Sequence, residues 1–262
     1  MSKPKIGVFS FASCEGCQLQ ILNIEHELLD LLGRIEIVNF REAIDEKRDD
    51  YAIALVEGSI VTESDAEEVK AIRAKAAFLA TIGACAVTTG LNGMRNSIAA
   101  RDAWKRVYPD RDFDTNVAPE VRRVSEVVKV DFEIPGCPID RGELLYVIGI
   151  LLQGQVPRLP TTPVCDECRR AGNPCLLDRG IYCFGSIARS GCRAVCPAYG
   201  ESCCACRGLL PEAPIEELVE ILDQKGYSRE EVIVRLNQFN SGDDQIRPLT
   251  GELVRLRKEV AV

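Results

Sequence analysis

The chain of 262 residues is 46% hydrophobic and carries 32 basic against 40 acidic side chains, a formal net charge of −8. That composition suits a globular protein of one large domain or two small ones, and it argues against a general nucleic-acid binder, which needs a basic face for the phosphates. The unusual feature is 13 cysteines beside a single histidine.

Residues 5–11 (KIGVFSF) form a β-branched and aromatic run that reads as a buried strand. After the connection ASCEGC, residues 18–32 read as a helix, with Leu19, Leu22, Leu28, Leu29 and Leu32 near helical spacing. His26 falls on it and reads as a solvated or locally bonded side chain. Residues 35–40 and 51–56 are the next two strands, the second followed by Glu57-Gly58-Ser59. Ser64, with Glu67 three residues on, reads as a capping box opening a helix to about Lys75. Residues 77–82 are a fourth strand ending at Gly83-Ala84-Cys85. A helix is predicted over 97–107 and a fifth strand over 127–132, leading to Ile134-Pro135-Gly136-Cys137-Pro138. A helix over 141–152, apolar at Leu144, Leu145, Ile148 and Leu151, closes this part.

Strands alternating with helices predict an α/β fold with a doubly wound, flavodoxin-like parallel sheet. In such a sheet the connections leaving the C-terminal strand ends share one edge, where ligands bind. Cys14 and Cys17 follow strand one, Cys85 strand four and Cys137 strand five, so topology gathers four distant thiols. With Gly16, Gly83 and Gly136 beside them they can approach a 4Fe–4S cluster, glycine removing bulk and leaving backbone N–H groups free. A flavin competes for this edge, but SCEGCQ has no phosphate-cradling pattern.

Residues 154–163 (GQVPRLPTTP) read as a linker. The following stretch holds nine cysteines, many glycines and little hydrophobic periodicity, so it is expected to need metal to fold. No apolar run approaches the roughly 18–20 residues of a membrane span, and the N-terminus lacks a secretory apolar run, a twin-arginine signal or an A-x-A site. A cytoplasmic location follows as the expectation, with no membrane insertion. In a reducing compartment so many cysteines point to thiolate-held metal, either zinc or iron–sulfur. The spacing divides the stretch into Cys165, Cys168, Cys175 and Cys183, then Cys192, Cys196, Cys203 and Cys206. Cys204 is left over. Its adjacency to Cys203 leaves the choice of ligand open, and Cys203 is preferred for its C-x2-C spacing to Cys206. Two zinc sites could serve the stretch equally; the further tetrad in the α/β part tilts the reading towards a redox relay. Helices are predicted over 215–225 and, behind a Ser228/Glu231 capping box, over 230–239, packing on the cysteine-rich part or on a partner. The terminal RLRKEVAV reads as a solvated end. The expected domains are 1–155, flavodoxin-like, and 156–262, an irregular cysteine-rich iron–sulfur domain with C-terminal helices.

The motifs SCEGCQLQ (13–20), VEGSI (56–60), IGACA (82–86), VDFEIPGCP (130–138), PVCDEC (163–168) and CRAVCPAYGESCCACRG (192–208) together resemble the small, electron-transferring subunit of nickel–iron hydrogenases. The resemblance is to the delta-subunit type of cytoplasmic sulfhydrogenases. It implies three 4Fe–4S clusters: a proximal one on Cys14, Cys17, Cys85 and Cys137, a distal one on Cys165, Cys168, Cys175 and Cys183, and a medial one on Cys192, Cys196, Cys203 and Cys206. It also implies partners, namely a NiFe large subunit and a flavin/NAD(P)-binding or ferredoxin-like electron-transfer subunit, with no catalytic residue in this chain. The resemblance also reaches hydrogenase-like and complex I-related assemblies without hydrogenase activity, which share the proximal motif. Cys165 stands where other hydrogenase groups have histidine. Cys196 implies a full 4Fe–4S medial centre of lower potential. Glu57 matches an acid near the proximal cluster. Pro138-Ile139 replaces the usual pair of prolines, and Cys204 stands where a non-ligand residue is common.

Overall fold

The computed structural model describes residues 3–114 and 116–252. The 255–262 tail and the side chain of His26 lie outside the described part. In chain order the first half runs β1 (Lys5–Ser10), α1 (Gly16–Leu22), α2 (His26–Arg34), β2 (Glu36–Phe40), β3 (Ile53–Glu57), β4 (Ile60–Thr62), α3 (Glu63–Lys75), β5 (Phe78–Ile82), α4 (Gly83–Thr88), α5 (Ala100–Val107), β6 (Val117–Arg122), β7 (Phe132–Ile134) and α6 (Arg141–Leu151). Five strands form a sheet ordered β2-β1-β3-β5-β7, and every neighbouring pair is parallel. Setting aside the β4/β6 pair, this is the flavodoxin-like order.

Alternation along the strands sends side chains to opposite faces. Ile6, Val8, Leu55, Ala80, Ile82 and Ile134 pack with Ile21, Leu31, Leu144 and Val147 from α1, α2 and α6. Ala54, Val56 and Leu79 pack on the other face with Ala66, Val69 and Ile72 of α3. The sheet is therefore covered on both sides, as a parallel sheet requires.

Several local expectations change. The single helix over 18–32 is two: Asn23 ends α1, its carbonyl taking a 2.7 Å bond from Arg141, and Glu25 at φ 56 redirects the chain into α2. The break lets α1 start at the sheet edge while Leu31 still reaches the core. The capping box of α3 is Thr62 with Asp65 rather than Ser64 with Glu67. Glu67 pairs instead with Lys70 on the surface, and Ser64 bonds Asn116. Of the run 127–132 only Phe132 is in a strand. Val127 and Val128 donate their backbone N–H groups to Val124 in a 3-10 turn, and the side chains of Val127, Val128 and Val130 pack on the α3 side of the core. Burial of valines, with no ladder to pair with, accounts for this apolar run. The antiparallel pair β4/β6 has no counterpart among the sequence-based expectations.

The second half holds α7 (Val164–Arg170), α8 (Val195–Ala198), α9 (Ile215–Asp223) and α10 (Arg229–Asn240), the last behind the expected Ser228/Glu231 capping box. The cysteine-rich stretch does have an apolar core. Val164, Phe184, Ile187 and Leu209 supply part of it, and Leu218, Leu222, Ile233 and Leu236 of α9 and α10 complete it. The C-terminal helices thus pack over this stretch. The end of α10 also returns to the first half, where Thr88 Oγ1 donates to the Phe239 carbonyl at 2.7 Å.

Candidate metal centres

The first group of cysteines forms at the C-terminal edge of the sheet. Cys14 is exposed in the connection after β1, whereas Cys17 is buried in the first turn of α1 and Cys85 stands on α4. Two of the four thiols are therefore held by helices. Glu57, the last residue of β3 and itself buried, fixes α1. Its Oε1 accepts the Cys17 N–H at 3.1 Å and its Oε2 the Gln18 side-chain amide at 2.8 Å. The Ala84 N–H donates to the Gly136 carbonyl at 2.7 Å, tying the connection of Cys85 to that of Cys137. Gly83 has φ +86, and a Cβ there would run into Cys17 Sγ. Only glycine fits this approach.

The thiols influence one another. Burial pushes the Cys85 thiol up to about 12, helped by nearby Cys137, Cys14 and Glu57. Burial also raises Cys17 strongly, with Glu57 next, while the backbone N–H of Ile139 pulls the other way. Cys137 is exposed, yet the chain packed around it still raises its thiol, followed by Cys14 and Glu57.

The second group centres on α7, which carries Cys165 and Cys168. Burial lifts Cys165 to about 11, followed by Cys183, Cys168 and Cys175 as neighbours. The Cys165 N–H donates to the Gly185 carbonyl at 3.1 Å, and a Cβ on Gly185 would lie 3.3 Å from Cys165 Sγ. Cys175 is exposed, so this group opens to the surface.

Cys192, Cys196, Cys203 and Cys206 line a cavity of about 640 Å³. Cys203 is buried, and burial raises its thiol well above the ordinary value, with Cys183, Cys206 and Cys192 around it. Cys206 is pushed up to about 12, again by burial first. Cys204 lines the same cavity but is only half-buried, and its thiol donates to the Ser202 carbonyl at 3.6 Å.

Contacts between the groups give them an order in space. Cys137 of the first group lines the same cavity as Cys192, Cys196, Cys203 and Cys206. The Phe184 N–H, next to Cys183 of the second group, donates to the Cys203 carbonyl at 3.0 Å. The third group in sequence thus stands between the first and the second. Glu167, between Cys165 and Cys168, braces the loop of Cys192 by accepting the N–H groups of Gly191 at 2.8 Å and Ala194 at 3.2 Å. Sequence patterns did not single out Glu167, Glu143, Arg207 or the Ile139 N–H. For Glu167 and Arg207, adjacency to a cysteine motif was the signal available.

A zinc ion would sit about 2.3 Å from each thiolate. Among the described residues no three or more His, Cys, Asp or Glu side chains converge so as to hold a single metal ion.

Residues 14–151 match the family model described as NADH ubiquinone oxidoreductase, 20 Kd subunit. Sulfhydrogenase 2 subunit delta of Pyrococcus furiosus is 34% identical over 237 residues, covering 90% of this chain and 98% of the relative. The chain belongs to this family, in its hydrogenase branch. A subunit of the F420-non-reducing hydrogenase of Methanocaldococcus jannaschii is 32% identical over 78% of this chain and 81% of its own length. A chain of an NAD+-reducing [NiFe]-hydrogenase, solved in the H2-reduced state, superposes with a TM-score of 0.56 at 28% identity, covering 61% of this chain and 96% of that one. As a hydrogenase-type subunit the chain is a component of an oxidoreductase complex. The segment matched by the family model contains the first group of cysteines and ends before the other two. Among the described residues no helix is long and apolar enough to cross a membrane.

Proposed function

We propose that this chain is the electron-transfer subunit of a cytoplasmic NiFe hydrogenase complex and holds three 4Fe–4S clusters. Cys14, Cys17, Cys85 and Cys137 would hold the proximal cluster, Cys192, Cys196, Cys203 and Cys206 the medial, and Cys165, Cys168, Cys175 and Cys183 the distal. When bound, each cluster takes up and releases one electron. The single observation that carries this reading is the spatial order of the three all-thiol groups, with Cys137 lining the cavity of the third group and Phe184, beside Cys183, bonded to the Cys203 carbonyl. The donor chemistry also fits: thiolates alone and a Cβ-free approach at Gly83. The residues of the chain contribute position and partial shielding from water, and no residue makes or breaks a substrate bond. Burial and contact with Cys206 favour Cys203 over Cys204 as ligand. The division at 155/156 belongs to this reading, and α6 ends at Leu151 with no helix or strand before Val164.

A NiFe large subunit on the proximal side and a flavin/NAD(P)- or ferredoxin-linked subunit on the distal side are the partners this reading requires. Cys14 and Cys137 are exposed on the proximal side and Cys175 on the distal side, so both of these groups reach the surface. The family match favours a second reading, a complex I-related or hydrogenase-like assembly without hydrogenase activity. The two cysteine groups beyond residue 151 weigh against it. Iron and acid-labile sulfide analysis tests the clusters: about twelve of each per chain is expected. A preparation with zinc and no labile sulfide would overturn the proposal, and nickel in the co-purified complex separates the two readings.

A further inference from the structure

Arg207 follows Cys206 directly and is only 3% exposed. Its guanidinium spans both halves of the molecule. Nε donates to the Ser190 carbonyl at 2.8 Å, Nη1 to the Pro135 carbonyl at 3.0 Å, and Nη2 to both oxygens of Glu143 at 2.7 and 2.8 Å. Pro135 lies two residues before Cys137, Ser190 two residues before Cys192, and Glu143 in the first turn of α6. One side chain therefore ties together the backbone entering Cys137, the backbone entering Cys192 and the residue beside Cys206.

The local packing is built around this ion pair. Gly191 has φ +112, and a Cβ there would lie 2.5 Å from Arg207 Nη2 and 2.7 Å from Glu143 Oε1. A buried ion pair is a poor source of stability, because desolvation offsets much of the attraction; its better-attested use is to specify one arrangement. Arginine suits that use here. Its planar fork presents donors in several fixed directions, whereas the single ammonium of lysine cannot span four acceptors. The arrangement so specified is the junction between the first and third cysteine groups, where Cys137 and Cys206 line one cavity.

We propose that Arg207 is the positioning residue of the proximal–medial junction, holding Cys137 against Cys206 and thereby fixing the separation across which an electron passes between the two groups. No bond forms or breaks in that passage and no proton is needed: one group loses an electron and the other gains it. The proposal rests on the reading that these groups hold clusters.

The test uses the intact complex with Arg207→Lys and Arg207→Met, each checked for iron and sulfide. The readouts are the electron paramagnetic resonance splitting between the two reduced clusters and the rate at which the medial signal appears after mixing with H2. Arg207→Met with full iron should lose the splitting and slow the medial signal roughly tenfold or more. Arg207→Lys, which keeps the charge but not the fork, should fall between it and the unaltered protein. Unaltered splitting and rate in an iron-replete Arg207→Met complex overturn the proposal. Where Arg207→Met fails to assemble, Arg207→Lys decides: weakened splitting supports the junction and unaltered splitting removes it. A complex of unaltered sequence lacking labile sulfide would instead remove the cluster reading beneath.

Discussion

The carboxylate of Glu57 sits beneath the first turn of α1, with its Oε1 accepting the Cys17 N–H at 3.1 Å. It belongs to β3 and the thiol to α1, so the sheet edge and the first cysteine group are bonded together in a buried place. Glu57 is also among the negative neighbours of Cys17, Cys85 and Cys137. Glu57→Gln keeps an acceptor for Cys17 while removing the charge. The midpoint potential of the first centre should rise, because added electrons no longer meet that charge, and a redox titration followed by electron paramagnetic resonance checks it. Glu57→Ala should cost about 1–3 kcal/mol of stability by leaving two buried donors unpaired.

Ile139 gives the opposite sign. Its backbone N–H lowers the Cys17 thiol against the effect of burial, and proline at this position would remove that donor. N–H···S bonds stabilise the reduced, more negative state, so Ile139→Pro should lower the potential of the same centre. Equal potentials for the variant and the unaltered protein in one titration would show that this hydrogen bond has no tuning role.

The adjacent pair Cys203 and Cys204 separates by loading. Cys203→Ser should lose about four irons per chain and the medial signal, whereas Cys204→Ser should retain about twelve irons. Iron analysis of both variants, prepared in parallel, reads the difference; the reverse pattern assigns the ligand to Cys204.

Asp131 carries a pH dependence. Burial alone would raise its carboxyl, but the Leu79 N–H and the Arg73 guanidinium outweigh burial and hold it below the ordinary 3.8. A depressed carboxylate stabilises the fold above the unfolded value, and that contribution fades as the pH falls below about 3.8. Asp131→Asn should therefore cost about 1–2 kcal/mol at pH 7 and progressively less in acid. Urea melts of both proteins at pH 7 and pH 3 measure the convergence.

Much of the fold is legible in the sequence, since the β-branched runs and their alternation with helices specify a parallel sheet. The failures share a cause. Asn23 and Glu25 interrupt a continuous leucine pattern because α1 must begin at the sheet edge, and hydrophobic spacing reports burial rather than direction. Val127, Val128 and Val130 look like a strand because valine serves either a ladder or a core. The core under the cysteine-rich stretch escaped because its missing half, from Leu218 to Leu236, comes later in the chain.

Residue types and strand topology alone place the first four cysteines at the C-terminal edge of a sheet, and spacing leads to the expectation of two further fours with Cys204 left over. The order of the groups in space, and what joins them, emerges only when the two halves pack. The cavity shared by Cys137 and Cys206 and the reach of Arg207 to Pro135 and Glu143 bring together residues about seventy apart, and no local pattern encodes such pairs. They arise where the packing of one half on the other leaves buried donors and acceptors that must find partners.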